Sequence, residues 1–145
     1  MLVSRPATSR SEDELEYDQQ TLDSKNPLIS IIDDDNALRN SLKNLIRSIG
    51  WRVECFSSAE AFLRSNQVHE TRCLVLDVRM PGMNGLELQH QMGVTNSRIP
   101  IIFITAHEND HWRIQALKAG AIAFLYKPFY EEELLDAIDK ALKHS

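Results

Sequence analysis

From residue 27 onward, short apolar runs alternate with stretches whose apolar residues recur every three or four positions. Leu28-Ile29-Ser30-Ile31-Ile32 reads as a buried strand, stopped by Asp33-Asp34-Asp35. The next segment carries Leu38, Leu42, Leu45, Ile46 and Ile49 on one helical stripe, and Gly50 suits its C-terminal cap. Residues 51–56 alternate apolar and polar, as a strand near a sheet edge does. Ser57 and Glu60 have capping-box spacing for a short helix carrying Ala61, Phe62 and Leu63. Cys73-Leu74-Val75-Leu76 then leads into Asp77 and a turn rich in Gly and Pro. Asn84, with Glu87 three positions on, caps a helix running to about Met92. Residues 99–105 form a fourth strand that tolerates Pro100 at its start. A helix from about Asn109 to Ala119 stops at Gly120. Residues 121–126 form the fifth strand, closed by Lys127-Pro128. The last helix opens on Glu131, Glu132 and Glu133, acids matched to the positive end of the helix dipole, and its stripe is Leu134, Leu135, Ile138 and Leu142.

Five strands alternating with five helices predict an α/β fold, a doubly wound parallel sheet covered on both faces. Right-handed crossovers leave few arrangements, and the flavodoxin-like (βα)5 order 2-1-3-4-5 is the expected one. Residues 1–26 break the pattern. They hold few large apolar groups and six acids against three bases, so they carry −3 of the formal −5. A disordered acidic leader is the expectation, with one counter-signal: Ser11 and Glu14 fit a capping box, and Leu15 and Leu22 could share a helical face. Pro27 marks the boundary with a single domain over 27–145.

Composition narrows the class. An apolar share of 43% and a charged share of 26% over 145 residues suit one soluble globular domain. No apolar run approaches the ~20 residues of a membrane span, and no signal-peptide pattern opens the chain. Cys55 and Cys73 lie in apolar stretches without metal spacing and read as core thiols of a cytoplasmic protein. A net −2 over 27–145 and no basic helix argue that these residues make no direct nucleic acid contact.

Asp is disfavoured in strands, so Asp77 at a strand end needs a reason, whether capping the next turn or chemistry. The strand ends decide. In an open α/β sheet they share one edge, which gathers Asp33 and Asp34, Asp77, Thr105 and Lys127. Crowded carboxylates raise one another's pKa unless a cation sits among them, and Mg²⁺ is the fitting hard ion. A hydroxyl and an ammonium beside them suit phosphoryl oxygens. The implied chemistry is phosphoryl transfer to a carboxylate.

Four motifs carry a resemblance. Ile31-Ile32-Asp33-Asp34-Asp35, Leu76-Asp77-Val78-Arg79-Met80-Pro81-Gly82-Met83-Asn84-Gly85, Ile104-Thr105-Ala106 and Lys127-Pro128-Phe129 occur in order and at family spacing. Over residues 27–145 the chain resembles a response-regulator receiver domain of two-component signalling, most similar to the FixJ/NarL-type receivers. The resemblance implies that Asp77 accepts a phosphoryl group from the phosphohistidine of a sensor histidine kinase or a phosphotransfer protein. It implies Mg²⁺ held directly by Asp34, Asp77 and the backbone carbonyl of Arg79, and through a water by Asp33. Lys127, before a cis peptide to Pro128, would pair with a phosphoryl oxygen, and Thr105 and the Ala106 amide with the others. Thr105 and Phe124 would form the switch that repacks the face of the fourth helix, fifth strand and fifth helix, where partners or a second copy bind. Phe124 replaces the tyrosine of many receivers and so lacks its hydroxyl. Arg79 and His107 flank the acceptor and could tune water attack, or be solvated side chains.

Other residues read more plainly. Asp35 caps the first helix, Met80 and Met83 pack a loop, and His69, His90, His111 and His144 are surface residues. Trp112 and Ile114 suit either the switching face or the core. An aspartate-nucleophile phosphatase of the haloacid-dehalogenase type would need a second Asp where Arg79 stands, and a cap domain. A flavodoxin-like cofactor binder would need a phosphate-cradling loop where three acids lie. A receiver-like scaffold that takes no phosphoryl group is the remaining alternative. FixJ/NarL-type receivers commonly precede a helix-turn-helix domain, so the chain is either part of a transcription factor or a stand-alone receiver. The acidic leader, unusual for the family, favours the latter.

Overall fold

The computed structural model describes residues 26–144. The leader and its Ser11–Glu14 cap lie outside the described residues, except for Asn26. The elements in chain order are β1 (Leu28–Ile32), α1 (Asn36–Ser48), β2 (Arg52–Phe56), α2 (Ala59–Arg64), a 3-10 turn (Asn66–Val68), β3 (Thr71–Asp77), α3 (Gly85–Val94), β4 (Ile101–Thr105), α4 (Asp110–Lys118), β5 (Ala123–Tyr126) and α5 (Glu131–His144). All strand pairs are parallel, in the order β2-β1-β3-β4-β5.

The period-two alternation of each strand sorts its side chains into two cores. Ile29, Ile31, Cys73, Val75, Ile102 and Ile104 face one side and pack with Leu42 and Ile46 of α1 and Leu134 and Ile138 of α5. Ile32, Leu74, Leu76, Ile101 and Phe103 face the other and pack with Phe62 of α2, Leu88 and Met92 of α3, and Ala116 of α4. The inner strands β1, β3 and β4 are buried almost throughout, whereas β2 alternates as an edge strand.

Several boundaries differ from expectation for local reasons. The Asn84 and Glu87 side chains do form a capping box, but Ser57 and Glu60 do not. Ser58, one residue later, caps α2 by accepting the Ala61 N–H, and Glu60 bonds elsewhere. β4 starts at Ile101 because Pro100 has no N–H for the ladder, although its carbonyl accepts from Leu74. β5 starts at Ala123 because the Ala121 N–H returns to Ala116 at the end of α4. β3 begins earlier than expected, at polar Thr71, whose buried hydroxyl pairs with Ser30 at 2.7 Å.

Register sets the function-bearing edge. Ile32 aligns with Leu76, Asp77 with Ile104, and Thr105 with Tyr126. The residues that end or follow these strands therefore crowd one rim of the sheet.

Candidate phosphoacceptor site

That rim opens into a cleft of about 760 Å³ lined by Asp33, Asp34, Asp35, Asp77, Arg79, Ala106, His107, Trp112 and Lys127, among others. Asp33 is almost wholly enclosed, its side chain 1% exposed. Its Oδ1 accepts the Asp35 N–H at 2.9 Å and its Oδ2 accepts from Lys127 Nζ at 2.9 Å. Arg39 Nη1, one turn into α1, donates to the Asp33 backbone carbonyl at 2.5 Å and fixes the start of the acidic loop. Asp34 is exposed, and Asp35 caps α1 through the Leu38 N–H, as expected. Lys127 follows β5, and its Nζ lies 3.9 Å from Asp77 Oδ2; the peptide to Pro128 is cis.

Each of Asp33, Asp34 and Asp77 offers a carboxylate oxygen within 4.8 Å of the other two. Burial first, and then the charge of Asp33, push Asp77 up to about 6, against the opposing pull of Lys127. An oxygen-only donor set holding surplus negative charge in a partly enclosed space fits a hard divalent cation such as Mg²⁺.

The β3–α3 loop supplies the opposite wall. Gly85 allows its close return: its N–H donates to Val78 O at 2.8 Å, and a Cβ there would collide with the Asp77 carbonyl. Met80 is buried and Met83 half-buried against the core, as expected of loop packing. Arg79 and His107 meet above the cleft, with Nη1 3.5 Å from both ring nitrogens, a contact with the ring more than a directed hydrogen bond.

Two expected residues stand apart from the cleft. Thr105 is fully buried and does not line it; its Oγ1 accepts the His107 N–H at 3.1 Å. Phe124 lies on β5 opposite Phe103, half-buried, its ring 5.7 Å from Phe103 and 5.5 Å from Tyr126. Conversely, the sequence offered no signal for Arg39 and only a local capping box for Glu60; the roles of both depend on where α1 and α2 pack. Trp112 packs on the core, one of its two expected readings, and also lines the cleft. His69, His90 and His111 are exposed, and among the described residues the aspartate triad is the only cluster suited to a metal.

Residues 29–139 match the model of the response regulator receiver domain. The response regulator protein TmoT of Ectopseudomonas mendocina is 50% identical over 125 residues, covering 86% of this chain and 57% of that protein. TodT of Pseudomonas putida is 53% identical, covering 80% of this chain and 51% of its own length. The transcriptional regulatory protein FixJ of Bradyrhizobium diazoefficiens is 40% identical, covering 81% and 57%. The chain thus spans about half to three-fifths of the curated relatives it matches. Among solved structures, that of the response regulator StyR is 49% identical with a TM-score of 0.76, covering 81% of this chain and 60% of its own. The FixJ-N crystal structure is 37% identical with a TM-score of 0.75, covering 83% and 96%. A family match over most of the chain, on a sheet of the same strand order, means that this chain belongs to the response regulator receiver domain family of two-component signalling.

Proposed function

We propose that Asp77 is the phosphoacceptor and that residues 27–145 form the receiver unit, with 1–26 an acidic leader ahead of it. The carrying observation is the aspartate triad: three carboxylates within 4.8 Å of one another beside Lys127, at the rim of a cleft open to a phosphorylated partner. Asp33, Asp34 and Asp77, with the backbone carbonyl of Arg79, would hold Mg²⁺, Asp33 through a water. When bound, Mg²⁺ neutralises the carboxylates and polarises the phosphoryl oxygens.

The chain's own groups do the rest. A carboxylate oxygen of Asp77 attacks the phosphorus of a partner's phosphohistidine; the Asp77 O–P bond forms as the N–P bond breaks. Lys127 then exchanges part of its contact with Asp33 for a phosphoryl oxygen. The Thr105 hydroxyl leaves the His107 N–H and, with the Ala106 amide, takes the remaining phosphoryl oxygens, and Phe124 follows into the vacated space. Arg79 and His107, paired above the cleft, govern how water reaches the acyl phosphate. The partner is a sensor histidine kinase or phosphotransfer protein in the cytoplasm. No described helix is long and apolar enough to cross a membrane. The output passes through the face of α4, β5 and α5, as a homodimer contact. These residues make no nucleic acid contact, so any control of transcription, as the name of FixJ states for that relative, falls to other parts of a protein carrying this receiver. The chain acts as a signalling acceptor, its self-catalysed phosphorylation and dephosphorylation aside.

Intact mass after incubation with Mg²⁺ and a small acyl phosphate tests the reading. One phosphoryl adduct is expected in the parent and none in Asp77→Asn or with chelator. An adduct that survives Asp77→Asn would sink the assignment.

A further inference from the structure

Glu60, in the first turn of α2, is turned inward. Its Oε2 accepts the backbone N–H of Met83 at 2.9 Å, from 23 residues away in sequence. Its Oε1 is shut off from solvent and has no hydrogen-bond partner among the described residues. The carboxylate lies directly on Gly82: a Cβ built there would come within 2.5 Å of Oε2, and Gly82 has φ +76°, which side-chain-bearing residues rarely adopt. The loop of residues 78–84 is thus tied at its base by Gly85 N–H to Val78 O, at its C-terminal end by Asn84 N–H to Glu87 Oε1, and at its tip by Glu60. A charged acceptor makes the tip bond stronger than a neutral one, and the Met83 amide in turn holds the Glu60 carboxyl below its ordinary range. Without that tie, the tip between the basal bond and the Asn84 cap regains backbone freedom.

Arg79 sits in this loop and lines the acidic cleft. We propose that Glu60 is a positioning residue: by holding the tip of the 78–84 loop, it keeps the Arg79 backbone in the place from which its carbonyl completes the metal site. The proposal rests on the Mg²⁺ reading above. It assigns to α2, which contributes nothing to the cleft lining, control over the affinity of the site.

The test compares the full chain with Glu60→Ala, Glu60→Gln and Ser58→Ala. Ser58→Ala removes the cap of the same helix without touching the loop. Hydrogen exchange at the Met83 amide is read in metal-free protein, and Mg²⁺ affinity by calorimetry below every melting temperature. In Glu60→Ala, Met83 exchange is expected to accelerate and the Mg²⁺ Kd to rise about tenfold, the low end for loss of a group supporting a metal ligand. Glu60→Gln keeps a side-chain oxygen for Met83 and should recover most of both. Ser58→Ala should lower the melting temperature and leave Kd alone. Parent-like exchange or parent-like Kd in Glu60→Ala overturns the proposal, as does an equal Kd shift in Ser58→Ala. If the parent binds no Mg²⁺, the metal reading has failed and the positioning role toward it falls too, while Met83 exchange still reports whether Glu60 holds the loop.

Discussion

At the residue scale, the site is a small excess of negative charge held in place by one lysine. Asp77 has an ordinary value near 3.8 and sits at about 6 in the folded chain, chiefly because it is buried and secondly because of Asp33. Between those values the native state keeps a proton that the unfolded chain has released. Raising pH through that window therefore costs stability, and the cost is complete above about 6. Asp77→Asn removes it. In chelator at pH 7 the variant should be more stable than the parent in urea, with the gap closing toward pH 4; equal stability at pH 7 would refute the charge account. Mg²⁺ should raise the stability of the parent and not of the variant. Lys127 acts in the opposite sense. Replacing it with Met leaves Asp33 enclosed without its cation, beside Asp77. The expected loss is roughly 2–3 kcal/mol in urea denaturation, short of the ~3–5 of a fully buried pair because Lys127 is 20% exposed.

At the scale of single elements, α3 illustrates how position decides the sign of one substitution. Gly85 at its first turn has no room for a methyl group, because the Asp77 carbonyl occupies the space. Gly93 near its last turn meets nothing within 4 Å. Gly85→Ala should cost about 1–3 kcal/mol through overpacking and push Asp77 out of place. Gly93→Ala should add about 0.4–1 kcal/mol by stiffening the unfolded chain. Urea titration of both variants checks the pair. Helix α4 lies at the other extreme. It buries only Ala116 and is tied to α3 by Gln89 Nε2, which donates to the Ala116 carbonyl at 3.0 Å. A helix with so little buried surface is the kind of element a switch can shift.

Across the whole molecule, the two cores give the sheet rigid sides, and the exposed apolar side chains of α4 face away from both. Ile114 is 46% exposed and Leu117 39% exposed. Dimerisation through this face on phosphorylation predicts a doubling of mass by light scattering when a beryllofluoride phosphoryl mimic is added. Leu117→Glu should stay monomeric with the mimic bound, while its folding stability changes by less than ~0.5 kcal/mol. A parent that stays monomeric with the mimic removes the dimer from the mechanism.

The sequence by itself determined the alternation of strands and helices, the strand order and which acids, lysine and threonine stand at the strand ends. Those features are local: apolar runs of period two, stripes of period 3.6, and polar residues where strands stop. Once right-handed crossovers are required, every strand end falls on one rim, so Asp33, Asp34, Asp77, Thr105 and Lys127 could be placed together without coordinates. Only the tertiary structure decided the contacts between elements distant in the chain. It moved the α2 cap from Ser57 to Ser58 and turned Glu60 onto the Met83 amide, set Arg39 against the Asp33 carbonyl, and put Trp112 at the cleft. It also put Thr105 behind the cleft wall, bonded to His107. These follow from packing angles and side-chain reach, which no periodicity encodes. Glu60 looked like half of a local capping box because its spacing permits one; in the fold its carboxylate instead accepts the amide of a loop 23 residues away.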